Sequence, residues 1–291
     1  MMEGFTRTEI KTSGANIVTV RGGNGPPLLL IHGNPFTHLS WHKFAPRLAK
    51  EFTVVAIDLR GYGDSSKPPG GDDHSGYSFR NMALDNVEVM AELGFKKFMA
   101  AGHDRGARVL HRMCLDHPDK VERAAILDII PQHHLLNNVT RQWGQFSWHW
   151  FFNIQPAPLP EKMMGADPDW FIQKKLAKTP QGLEFFGKEA LAEYMRCFRN
   201  PETIHAICED YRAGATFDFQ LDEADRGNRK IACPLLALWG SRGALQNWYD
   251  VLAIWRDWAD DVRGRALESG HFLPEEAPDE TYEELRAFFR S

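Results

Sequence analysis

The chain has 291 residues, 43% of them hydrophobic and 25% charged, with a formal net charge of −5. Those proportions suit a folded globular protein rather than a disordered one, and mild acidity without long Lys/Arg runs gives no basis for nucleic-acid binding. No apolar run approaches the roughly 20 residues needed to cross a bilayer, and the opening MMEGFTRTEI lacks the basic and apolar regions of a signal peptide. A cytoplasmic protein is expected. Its four cysteines, Cys114, Cys197, Cys208 and Cys233, are scattered without metal-ligand or framework spacing and are expected as free thiols.

Short apolar segments that run into a glycine or an aspartate mark the chain at 26–33, 52–63 and 97–104, and again at 124–130 and 233–240. Continuous rather than alternating apolar runs predict parallel strands covered on both faces. Helical spacing fills the intervals, as in 81–94, where Gly94 suits a C-cap. Strands alternating with helices predict an α/β fold with a mostly parallel, doubly wound sheet. Between 132 and 225 the rhythm breaks into a stretch rich in Trp, Phe, Pro and Met. We read that stretch as a helical cap inserted into a core made of 1–131 and 226–291, which closes with a helix around 279–290.

Gly102-His103-Asp104-Arg105-Gly106 falls where a strand ends and a helix over 105–116 begins. This is the nucleophile-elbow pattern, with Asp104 where a serine commonly stands. Taken alone, the aspartate could equally cap the helix. Three companions favour chemistry. His32-Gly33 closes an earlier strand, whose following loop supplies an oxyanion-hole N–H in hydrolases of this type. His271 lies near the C-terminus in Gly270-His271-Phe272, in place for a general base. Asp128 ends the strand after the nucleophile helix, and the loop from Trp239 to Ala244 holds no carboxylate, so Asp128 is the expected partner of His271.

An aspartate nucleophile implies attack on a saturated carbon, because the alkyl ester it forms can be opened by water at its own carboxyl carbon. His271 would activate that water, and Asp128 would fix the tautomer of the imidazole. The backbone N–H groups of Phe36 and Arg105 are the expected oxyanion donors. Alkyl halides and epoxides both fit. Arg105 and Arg108, at i and i+3 on the nucleophile helix, point to an anionic substrate gripped through its carboxylate.

The stretch 102–121 resembles the fluoroacetate (haloacetate) dehalogenase family of the α/β-hydrolase superfamily. So do Leu127–Pro131, the runs WHWFF and QPAPLPEK within 148–162, GADPD at 165–169 and DYRAG at 210–214. The resemblance implies Asp104 as nucleophile, Asp128 as acid, His271 as base, and Arg105 with Arg108 on the substrate carboxylate. It further implies a halide pocket of His149, Trp150 and Tyr211, no metal or organic cofactor, a small haloacid as the only partner, and a homodimer. One departure is Asn34-Pro35 after His32-Gly33, a pattern more like haloalkane dehalogenases; Asn34 would either touch the halide or tie down its loop. The alternatives are an epoxide hydrolase, with Tyr194 and Tyr211 as the available cap acids, and a non-catalytic small-molecule sensor.

Overall fold

The computed structural model describes residues 2–177 and 182–291. Eight strands form one sheet: β1 (Thr6–Lys11), β2 (Asn16–Gly22), β3 (Pro27–Ile31), β4 (Thr53–Ile57), β5 (Phe98–His103), β6 (Val121–Leu127), β7 (Leu235–Gly240) and β8 (Val262–Leu267). Their spatial order is β1-β2-β4-β3-β5-β6-β7-β8. The β1–β2 and β2–β4 pairs are antiparallel, and every later pair is parallel.

The continuous apolar runs are explained by burial on both faces. Along β3, Leu29 and Ile31 face one core while Leu28 and Leu30 face the other, and Val55/Ile57 and Val54/Ala56 divide in the same way along β4. Helices Phe79–Glu92 and Arg105–Asp116 cover the first face, and Pro278–Arg290 covers the second. The antiparallel hairpin β1–β2 was not foreseen. Strand β1 reads TRTEIK with a single buried residue, Ile10, as befits an exposed edge strand without an apolar run.

Between β6 and β7 the described residues form helices and no strand, from Gln132–Asn137 to Phe219–Asp225; residues 178–181 of the expected cap lie outside the described residues. The parallel strands aim their carboxyl ends at one edge. His32 follows β3, Asp104 follows β5, Asp128 follows β6 and Gly240 ends β7. In open α/β sheets that edge is where ligands bind.

Candidate active site

Asp104 stands in the turn between β5 and its helix with φ 50° and ψ −119°, a conformation that costs energy for any residue with a side chain. The turn is tight because no Cβ fits on either flanking glycine. One on Gly102 would lie 2.6 Å from the Gly106 carbonyl oxygen, and one on Gly106 would lie 2.3 Å from that of His32. Asp104 Oδ1 accepts a hydrogen bond from the Asn34 N–H at 2.9 Å. The expected donor, Phe36, is turned elsewhere: its N–H donates to the Gly33 carbonyl at 2.9 Å. Asn34 therefore replaces Phe36 as the backbone donor from this loop, while Arg105 begins the helix whose N-terminus faces the carboxylate.

His271 bridges two carboxylates. Its Nδ1 lies 2.5 Å from Asp128 Oδ2, and its Nε2 lies 3.4 Å from Asp104 Oδ2. The other Asp128 oxygen accepts the Gly240 N–H at 2.9 Å, and Trp255 Nε1 donates to the Ile129 carbonyl at 3.1 Å, pinning the chain just past Asp128. Burial opposes charge on the imidazole, but the hydrogen bonds and charges of Asp104 and Asp128 raise its pKa to about 9. Burial likewise opposes charge on Asp104, yet His271 and the Asn34 N–H hold it well below the usual carboxylate range. Both shifts favour an imidazolium facing a carboxylate.

Asp104, Asp128 and His271 open onto a cavity of about 380 Å³ whose polar lining also includes Arg108, Ser147, His149, Arg242 and Tyr249 and whose apolar walls include Leu135, Trp143 and Trp150. Arg108 donates through Nη1 to the Ile130 carbonyl at 3.1 Å, its Nε has no hydrogen-bond partner, and it forms no ion pair among the described residues. Its guanidinium lies 4.8 Å from the centre of the Trp150 ring. Burial, then the neighbouring Arg105 charge, lower its pKa to about 10, which leaves it protonated at neutral pH.

Arg105 is placed differently. Its Nε donates to Asp210 at 3.0 Å, its Nη2 pairs with the same carboxylate and donates to the Asp210 carbonyl at 2.7 Å, and its Nη1 reaches Gln132 Oε1 at 3.4 Å. It does not line the 380 Å³ cavity. The expected pair of carboxylate-gripping arginines is thus reduced to Arg108 facing the cavity, with Arg105 locked to the helix Pro201–Ala213.

A second space, about 20 Å³, touches Asp104, Asn34, His149 and Tyr211, which is room for one water-sized species. Asn34 Nδ2 donates to the Tyr211 hydroxyl at 3.2 Å. His149 and Trp150 pack edge-on against the Tyr211 ring, at 6.1 and 5.6 Å between centroids. Trp150 lines the larger cavity and His149 both.

Residues 26–278 match the alpha/beta hydrolase fold family. A fluoroacetate dehalogenase from Burkholderia sp is 47% identical over 99% of this chain and 95% of its own length. The chain belongs to the fluoroacetate dehalogenase family of the α/β hydrolases. A soluble epoxide hydrolase from Corynebacterium sp. (strain C12) is a more distant relative, at 32% identity over 98% of this chain and 97% of its own. Among solved structures, one described as an alpha/beta hydrolase from Nostoc sp PCC 7120 superposes with a TM-score of 0.97 at 52% identity, covering 99% of both chains.

Within this dehalogenase-family fold, sequence reasoning missed Asp210 and the backbone donor Asn34. Asp210 carried a signal, since it stands inside the DYRAG run immediately before Tyr211. Asn34 was singled out for its side chain, whereas its main chain makes the contact to Asp104.

Proposed function

We propose that the protein hydrolyses small 2-haloacids, such as chloroacetate and fluoroacetate, to the 2-hydroxyacid and halide. The observation that carries this reading is one cavity walled by an ionised, strained carboxylate at Asp104 and by the protonated guanidinium of Arg108, which has no ion pair among the described residues. An anionic substrate would be held by Arg108 through its carboxylate, and that charge-assisted bond offsets repulsion from Asp104.

Asn34 holds Oδ1 at 2.9 Å, whereas the contact of Oδ2 to His271 Nε2 is longer, at 3.4 Å, which makes Oδ2 the attacking oxygen. It displaces the halide from the saturated carbon, the C–halogen electron pair leaves with the halide, and Asp104 becomes an alkyl ester. Departing fluoride needs hydrogen bonds, since a bare small anion in an apolar cavity is prohibitively costly. The small space beside Asp104 offers the Tyr211 hydroxyl, with the Asn34 amide and the His149 ring as neighbours.

Esterification also removes one of the two negative charges that raise the pKa of His271, so the imidazolium gives up its Nε2 proton to solvent and becomes a base. Its Nε2 takes a proton from water as the water oxygen attacks the Asp104 carboxyl carbon. The oxyanion forms on Oδ1 against the Asn34 N–H. Collapse expels the alkoxide, which takes the proton back from His271, and the remaining water proton passes from the Asp104 carboxyl group to the imidazole, restoring the starting pair. The balance is one water consumed, and one halide and one proton released.

The test is to follow halide release from chloroacetate and fluoroacetate, with a small epoxide in parallel. Release from either acid supports the reading. Epoxide opening alone would place the chain with its epoxide-hydrolase relatives, although the Tyr194 hydroxyl is engaged with Glu275 at 3.0 Å, which leaves Tyr211 as the cap acid. Binding without any turnover would mean a sensor.

A further inference from the structure

The side chain of His271 is aligned by Asp128 and Asp104, but its backbone needs an anchor too, because it lies in the loop after β8. The carboxylate of Glu276 spans that residue. Oε2 accepts the Gly270 N–H at 2.8 Å and Oε1 accepts the Phe272 N–H at 2.9 Å, one bond on each side of His271. The Glu276 side chain is only 3% exposed, and Arg242 Nη2 approaches its Oε2 at 3.5 Å. A Cβ on Gly270 would lie 2.9 Å from Oε1, so a larger residue at 270 would displace the carboxylate from the loop. From the opposite side, His103 Nε2 lies 2.8 Å from the His271 carbonyl, to which it donates.

We propose that Glu276 is the positioning residue for the base: its two carboxylate oxygens staple the backbone on both sides of His271 and so set where Nε2 meets the water that opens the Asp104 ester. The proposal rests on the ester mechanism above and assigns Glu276 to one half of it. Alkylation of Asp104 needs the nucleophile, Arg108 and the halide space. Hydrolysis needs Nε2 in register, where a misplacement of about 1 Å can cost roughly 100-fold.

Glu276→Gln is the informative variant, because it keeps shape but replaces one acceptor oxygen with a donor that faces an N–H. On chloroacetate we expect kcat to fall roughly 10- to 100-fold and KM to fall with it. The quantity kcat/KM, fixed at the irreversible halide-releasing step, stays unchanged. One equivalent of chloride is released in a burst at the wild-type rate, and the alkyl ester accumulates in the intact-protein mass spectrum. A proportional loss of kcat/KM without ester, or an unchanged kcat, overturns the proposal.

A second readout does not depend on haloacid turnover. The downfield Nδ1–H proton resonance of His271, bonded to Asp128, should shift or broaden in Glu276→Gln, and an unmoved resonance counts against the staple. Should the Gln variant not fold, Glu276→Asp, whose shorter side chain cannot reach both N–H groups, is read the same way. If wild type releases no halide, the haloacid reading fails while the resonance still decides the positioning role.

Discussion

His271 Nε2 and Asp104 Oδ2 lie 3.4 Å apart, and in the proposed mechanism that separation serves two states. Before reaction it would join an imidazolium to a carboxylate. After alkylation the same short distance would place a neutral imidazole beside the ester that water has to open. Replacing His271 with Ala should therefore leave the first step largely intact and stop the second. We expect one equivalent of halide per protein molecule, a trapped ester on Asp104 and steady turnover reduced by roughly 10²- to 10⁴-fold, the usual worth of a general base. Intact-mass spectrometry after mixing with chloroacetate checks this.

The two steps should respond differently to pH. Asp104 is held well below the ordinary carboxylate range, so alkylation should be flat from about pH 6 to pH 8. Ester hydrolysis should rise with pH and level off below about 9, because the Asp104 contribution to the raised His271 pKa is absent in the ester. Quench-flow at several pH values separates the two rates.

The same pair links stability to pH. A raised His271 pKa contributes stability that is complete below its ordinary value of 6.5 and lost as pH rises through about 9. Melting temperatures of wild type should decline across that window, and Asp104→Asn should flatten the decline. An identical slope in the two proteins would show that the pair is not the source.

Arg108 and Arg105 should separate binding from folding. Arg108→Met removes the guanidinium facing the cavity, and each charge-assisted bond lost costs about 1.5–3 kcal/mol, or roughly 10- to 100-fold in kcat/KM for haloacetates. Arg105→Met instead leaves Asp210, which is 0% exposed, without its cation. Removing one partner of a buried pair costs about 3–5 kcal/mol of stability, visible as a lower denaturant midpoint. The opposite pattern, with Arg105→Met folding normally and losing haloacetate affinity, would contradict the assignment.

Tyr211→Phe removes the hydroxyl that lines the small space beside Asp104. Fluoride demands more from hydrogen-bond donors than chloride does, so defluorination should fall by about tenfold more than dechlorination. Halide electrodes on the two haloacetates give the ratio.

How much of this was legible in the sequence follows from how locally each feature is encoded. The turn at Asp104 and its helix were readable because so tight a strand-to-helix turn needs small residues within two positions of its apex. Strands β3 and β4 were readable because burial on both faces leaves a continuous apolar run. Strand β1 was hidden, since an exposed edge strand of polar residues carries no such run. The use of Asn34 rather than Phe36 depends on which N–H the turn directs inward, and main-chain direction leaves no mark in side-chain identity. Arg105 looked like a twin of Arg108 because both sit on one helix face, but its partner Asp210 lies 105 positions away.

The proposed mechanism requires a covalent ester at Asp104, and a single turnover in ¹⁸O-labelled water tests it most directly. With enzyme in excess over chloroacetate, water attacks the Asp104 carboxyl carbon, so the label should appear in the peptide containing Asp104 while the first glycolate formed carries unlabelled oxygen. Label in glycolate and none in Asp104 would mean that water attacks the substrate carbon itself, which would contradict the covalent mechanism.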